Sequence, residues 1–264
     1  MRIHPSAQIH EKAHVESGAE IGAGCVIGPF AMVGGSVRLA ERVEVKNHAV
    51  ITGCTDVGDD TVVFPFAVLG EIPQDLKFSG EKTQLIIGKR NRIREHATMN
   101  TGTDGGGGVT RLGDDCLIMA GAHVAHDCQI GNRVILVNNA ALAGHCILED
   151  DVIVGGLSGV HQFVRIGHGA IIGAVTMVTA DVIPHGLVQG PRGALDGLNL
   201  VGLKRRGVDK TEIAALRDLY AKLGEGNFRE SARKCAEGND DGPLVREVLE
   251  FILGPSDRSF LTPR

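Results

Sequence analysis

Leu112-Gly-Asp-Asp-Cys116-Leu-Ile118-Met-Ala-Gly-Ala122-His-Val124-Ala-His-Asp-Cys128-Gln-Ile130 sets an aliphatic residue at every sixth position and a small one four residues after each. Neither the 3.6-residue period of a helix nor the two-residue period of a strand gives this pattern. A six-residue repeat is the signature of a parallel β-helix. Outward from the stretch, the register continues at Leu136, Leu142, Leu148, Val154, Val160, Ile166, Ile172 and Val178. Toward the N-terminus it holds at Ile87, Ile93 and Met99, and without interruption from Ile3 to Leu69. A large side chain pointing inward once per six residues, with a small one beside it, makes one face of a coil. Three faces close a triangular coil of 18 residues, and coils stack at the strand spacing of roughly 4.8 Å. Residues 18 apart in an unbroken run therefore lie one above the other. The expected architecture is mainly β: a parallel β-helix over residues 1–184, with loop insertions near 71–85 and 101–111, then a C-terminal helical domain over 185–264.

The composition fits narrow coils. Among 264 residues there is no Trp and one Tyr, while Gly numbers 37. A solenoid grows along one axis, so its length says little about domain count. The net charge of −5 supplies no basic field for nucleic acid. The first ten residues lack a basic segment followed by an apolar one, so no secretory signal is expected. No apolar run reaches the roughly 18 residues of a membrane span. Cys25, Cys116, Cys128 and Cys146 occupy the small inward position; with Cys54 and Cys235 they read as reduced thiols of a cytoplasmic protein. None forms a CxxC, which argues against structural zinc.

Two breaks interrupt the register. The first, 71–85, carries Gln74, Asp75 and Lys77, and an insertion into a repeat protein usually becomes a loop on the binding face. The second, 101–111, holds Gly105–Gly108 and reads as a flexible projecting loop; no P-loop pattern surrounds it. His4, His10, His14 and His48 read as solvent or turn histidines at no repeated spacing. Residues 112–183 carry His123, His126, His145 and His161, and stacking by 18 aligns His126, Gly144 and Gln162 in one column. Asp127, His145 and Phe163 form the next. Beyond Pro184 the spacing turns helical at Leu195, Leu198 and Val201, ahead of the basic run Lys204–Arg206. Asp209 and Glu212 have capping-box spacing for a helix running to Gly224. Two more helices are expected near Phe228–Glu237 and Pro243–Leu253, and Ser256–Arg264 is expected to be unstructured.

The histidine columns suggest acyl transfer to an alcohol. His126 can take a proton from a hydroxyl near neutral pH. One coil above, Gly144 lets a substrate approach its backbone N–H, which can stabilise an oxyanion. A hydrolase would need a nucleophilic serine beside a base, and no GxSxG occurs. Hexapeptide carbonic anhydrases place two zinc histidines five apart; no such pair occurs between 112 and 183, so no metal is expected.

Several motifs resemble the UDP-N-acetylglucosamine O-acyltransferases of lipid A biosynthesis: Ile27–Phe30, Gln74-Asp-Leu-Lys77, Asn91-Arg-Ile-Arg-Glu95, Ala122-His-Val-Ala-His-Asp127, Asn138-Asn139, Leu142-Ala-Gly-His145, Val160-His-Gln-Phe163 and Gly202-Leu-Lys-Arg-Arg-Gly207. The resemblance spans nearly the whole chain. It implies left-handed coils and a homotrimer with active sites between subunits. It also implies transfer of a (3R)-3-hydroxyacyl group from acyl carrier protein to the sugar 3-hydroxyl, with no cofactor beyond the carrier's phosphopantetheine. By resemblance His126 is the base, Gly144 the oxyanion donor, and Asp127 orients His126, although alternation along a strand would point neighbours to opposite faces. Gln74, Asp75, Lys77, His123, His145, His161 and Gln162 would hold the sugar nucleotide, with Asn199 and Arg205 near the UDP. Ala174 falls where Gly admits a longer acyl chain and Met a shorter one, which implies a medium-length chain. Val201 replaces an acidic residue and Arg192 a histidine, departures that bear on the nucleotide. Rivals are a related N-acyltransferase, whose additional domain before the coils is not expected here, a 3-amino-sugar variant, an acetyl-CoA enzyme, and a scaffold protein with no use for the His126/Gly144 column.

Overall fold

Each inward aliphatic belongs to a short strand, commonly of two residues, and three strands complete a coil. The computed structural model, which describes residues 2–238, 242–256 and 258–263, stacks these strands into three parallel sheets. The first face begins at Arg2–Ile3, the second at Gln8–Ile9 and the third at His14–Val15. Strand partners lie 18 residues apart, as in Arg2↔Glu20 and Ile118↔Leu136. The spacing widens to 30 across the first loop, Asp56↔Ile86, and to 25 across the second, Ile86↔Arg111. The whole is a left-handed parallel β-helix, an exception to the right-handed crossover rule.

In-register residues from Ile21 to Val178 are buried along the axis. Removing each such aliphatic from water is worth roughly 1.5–3 kcal/mol. Ile3, Ile9 and Val15 stay partly exposed, because no coil stacks beneath them. At the corners one residue per turn takes a left-handed backbone: Asp127, His145 and Phe163 have φ of 59°, 60° and 64°. Corner side chains of successive coils therefore form columns.

The sheet does not stop at Pro184. Gly186–Gln189 adds to the second face and pairs antiparallel with Ala194–Leu198. The helical spacing at Leu195 and Leu198 thus belongs to a hairpin, since one i, i+3 pair is too short to tell the two periods apart. Helix α1 is Leu200–Arg205, α2 Lys210–Leu223, α3 Phe228–Glu237 and α4 Pro243–Leu253. Asp209 caps α2 by accepting the Thr211 N–H, and Pro243 opens α4, where a missing N–H costs nothing. The described residues of the tail are ordered, contrary to expectation. Phe260 bridges to Asp181 and packs its ring 5.4 Å from that of Phe228, and Ser256 Oγ donates to Asp181 at 2.6 Å. Asp257 and Arg264 lie outside the described residues. Among the described residues, no helix is long and apolar enough to cross a membrane.

Candidate active site

Both insertions leave from one corner, where the third face turns into the first: after Val68–Glu71 and after Thr98–Asn100. The next coil turns the same corner between His123–Val124 and Gln129–Ile130, and there His126 and Asp127 sit. The two lie in a turn rather than on a strand, so alternation does not separate them. His126 Nδ1 is 2.8 Å from Asp127 Oδ2, and both residues are buried. His145 Nε2 stands 3.8 Å from the same oxygen, and the ligand atoms of these three residues lie within 4.8 Å of one another.

One coil on, Gly144 faces the imidazole. A Cβ there would sit 2.5 Å from His126 Cε1 and 2.6 Å from Nε2. Its N–H makes no hydrogen bond among the described residues, whereas its carbonyl accepts the Phe163 N–H at 3.1 Å. The expected columns form: the His145 N–H donates to the His126 carbonyl, and the Phe163 ring stacks on His145 at 4.4 Å. Gln162 is exposed at the head of the first column.

His123 Nδ1 is 2.7 Å from Thr98 Oγ1. Burial lowers the pKa of His123, and the His126 charge adds to this; burial also lowers that of His145, against the charge of Asp127. Both shifts favour the neutral ring. Asp75, half-buried in the first loop, also acts electrostatically on His145, which puts that loop beside the site. Asp75 Oδ1 accepts the Lys77 N–H at 3.0 Å, while Gln74 and Lys77 are exposed.

The second loop is not a free projection. It closes on Asp127: Thr103 donates its N–H and its hydroxyl to the two carboxylate oxygens, and the Asp127 N–H donates to Thr110 Oγ1 at 2.8 Å. The tail brings a further unforeseen group, Arg258, whose Nη2 lies 2.8 Å from His161 Nδ1.

Three expected residues stand elsewhere on the chain. Asn199 caps α1 and donates to the Gly169 carbonyl at 2.9 Å, at the corner between the first and second faces; Arg205 is exposed in the last turn of that helix. Ala174 is exposed at the corner between the second and third faces. Val201 is exposed on α1, and Arg192 is exposed in the hairpin.

Chains of known identity share this architecture. The family described as Udp N-acetylglucosamine O-acyltransferase, Domain 2, matches residues 181–261, and the bacterial transferase hexapeptide matches 1–35, 18–53 and 110–144. A Paracoccus denitrificans protein named acyl-[acyl-carrier-protein]–UDP-N-acetylglucosamine O-acyltransferase is 79% identical over 202 residues, 76% of this chain and 77% of its own length. A protein of the same name from Agrobacterium fabrum is 46% identical over 237 residues, 88% and 87% of the two chains. The structure of UDP-N-acetylglucosamine acyltransferase from Campylobacter jejuni matches with a TM-score of 0.91 at 40% identity, covering 97% of this chain and all of the other. Identity of this extent over this much of the chain leaves one placement: the chain belongs to the family of acyl-[acyl-carrier-protein]–UDP-N-acetylglucosamine O-acyltransferases, and it is an acyltransferase.

Proposed function

We propose that the chain transfers a (3R)-3-hydroxyacyl group from acyl carrier protein to the 3-hydroxyl of UDP-N-acetylglucosamine, the first step of lipid A biosynthesis. One observation carries the mechanism: the His126 imidazole, 2.8 Å from Asp127, faces a glycine whose N–H has no partner among the described residues. His126 removes the sugar hydroxyl proton and the oxygen attacks the thioester carbonyl. The Gly144 N–H receives the developing oxyanion. Collapse breaks the C–S bond, and His126 returns its proton to the departing phosphopantetheine sulfur. Asp127 holds the Nδ1 side of the ring so that Nε2 does the chemistry. The donor arrives already on its carrier, so the chain needs no cofactor of its own.

Asp75, Lys77 and Gln74 of the first loop, with His123, His145, His161 and Gln162, hold the sugar nucleotide. Neutral imidazoles suit hydrogen bonds to sugar hydroxyls, and the Arg205 fork suits a diphosphate. Arg205, Asn199 and Ala174 lie at other corners of the chain, so they reach a His126 site from a neighbouring subunit of a homotrimer. This reaction belongs in the cytoplasm, where acyl carrier protein is available.

The test is radiolabelled acyl transfer to UDP-N-acetylglucosamine from 3-hydroxyacyl carrier proteins of several lengths. Ester product with a preferred medium length is expected, and Ala174→Gly should extend that preference. In His126→Ala, kcat should fall by roughly 10²–10⁴-fold, the range for a lost general base. No product at any length, or an unimpaired His126→Ala, overturns the reading; product only with a 3-amino sugar redirects it to an amide.

A further inference from the structure

We infer that Thr103 is a positioning residue, acting on the reaction through Asp127. This rests on the acyl transfer proposed above and adds a link behind His126. The Thr103 N–H donates to Asp127 Oδ1 at 2.9 Å and its hydroxyl to Oδ2 at 2.6 Å. Oδ2 is also the oxygen 2.8 Å from His126 Nδ1. Thr103 therefore pins both ends of the carboxylate, and the oxygen that orients the imidazole is one of them. Rotation of the carboxylate would break two bonds from one residue at once.

The loop is built for this contact. The Thr103 carbonyl accepts the N–H of Gly106 at 3.0 Å and of Gly108 at 2.8 Å, which fixes Thr103 within its own turn. Gly106 rests against the Asp127 carboxylate so closely that a Cβ there would collide with it. The Asp127 side chain is only 1% exposed. Water has little access to that carboxylate, so the Thr103 donors stand in for its hydration, a requirement for a buried charged group. A loop serving only to end a strand would not have to meet Asp127 at the oxygen that faces His126. The glycines at 105–108 thus give the chain room to fold back onto the site.

The test compares Thr103→Val, which keeps the shape and the backbone N–H but loses the hydroxyl, with Thr103→Ser, which keeps it. In Thr103→Val, kcat should drop about 10- to 100-fold, as expected for a displaced catalytic group. KM for both substrates should stay within about twofold, because the contact touches neither. Thr103→Ser should recover most of the rate. In an Asp127→Ala background, Thr103→Val should cost nothing further, since its effect passes through Asp127. Wild-type kcat in a folded Thr103→Val, a loss confined to KM, or a loss that adds fully to that of Asp127→Ala overturns the inference. If Thr103→Val does not fold, Gly106→Ala takes its place, since it crowds the carboxylate while leaving the Thr103 hydroxyl. It should lower kcat with Asp127 present and have no effect in Asp127→Ala; equal losses in both backgrounds overturn the role. An inactive wild type would overturn the reaction itself, whereas an active wild type with an unaffected Thr103→Val overturns only the role of Thr103.

Discussion

Gly144 matters for the space it leaves. Its backbone is not in the left-handed region, so an alanine would suit the turn; the obstacle is His126, with Cε1 2.5 Å from where the new carbon would be. Gly144→Ala should therefore fold normally, displace the imidazole and screen the N–H, lowering kcat on the order of 10²-fold, the usual cost of losing an oxyanion donor. A melting temperature within a degree or two of wild type, measured beside kcat, separates this from general damage; unchanged kcat would remove Gly144 from the mechanism. The pairing of Gly144 with His126 was legible because residues 126, 144 and 162 fall in an unbroken run, where counting by 18 is enough. Thr98 against His123 and Thr103 against Asp127 were not legible. The second loop stretches those separations to 25 and 24, and no periodicity survives a loop of unknown path. His48 is the exposed turn residue expected, with φ of 59°, but its ring partners were not legible. It stacks 5.1 Å from both Phe30 and Phe66, a column of mixed ring types that a search for repeated histidines passes over.

Helix α4 is held to the coils by a carboxylate between two imidazoles. Glu247 lies 2.7 Å from His168 Nδ1 and 3.0 Å from His185 Nε2, with Asp151 3.3 Å beyond His168 and the Arg206 guanidinium 3.1 Å from His185. Burial would raise the Glu247 pKa, but the hydrogen bonds from His168 and His185 prevail and bring it down to about 2. Donating to Glu247 in turn raises His168 above its ordinary value, against burial. The depressed carboxylate contributes fully above its ordinary 4.5 and loses that contribution as pH falls toward 2; the raised histidine contributes fully below its ordinary 6.5 and loses that contribution as pH climbs through the folded value. Both contributions are complete between these ordinary values. Glu247→Gln should cost about 2 kcal/mol there, allowing for partial exposure, and less as pH climbs through the raised value of His168. Urea unfolding at pH 5.5 and 8.5 measures it; a cost that grows with pH would contradict this account. At the same scale, α3 and α4 were legible to the residue, since each combines an apolar stripe with a defined start. The hairpin at Gly186–Leu198 was not, because two short strands around a tight turn carry too few residues to show a period. The tail carries no pattern either: Phe260 docks through contacts with Phe228, Phe251 and Asp181 that only the folded chain brings near.

The three corners of the coil divide the proposed machinery. His126, Asp127 and Gly144 occupy the corner from third to first face; Ala174 occupies that from second to third, and Asn199 reaches the remaining one at Gly169. A rigid solenoid cannot fold its corners onto one another, so one chain alone does not assemble a site from all three. A cyclic assembly can, by setting one corner of each subunit against a different corner of the next. The second-to-third corner has the surface for it. Phe30 is 55% exposed, Phe66 48%, Leu157 66% and Val175 61%, exposed apolar members of a corner column that also carries His48, His96 and Asn139. Large apolar side chains left in water along one corner suit a contact between subunits. This arrangement predicts complementation. His126→Ala and Arg205→Ala homo-oligomers should each be impaired, the first severely. Co-expressed with different tags and purified as mixed trimers, they should regain transfer, because a site pairing an intact His126 with an intact Arg205 from its neighbour forms again. Random mixing around a three-fold ring restores about a quarter of the sites. Activity in the mixture no greater than the average of the two homo-oligomers would place His126 and Arg205 on the same subunit's site, and a monomer by light scattering would remove the shared site altogether.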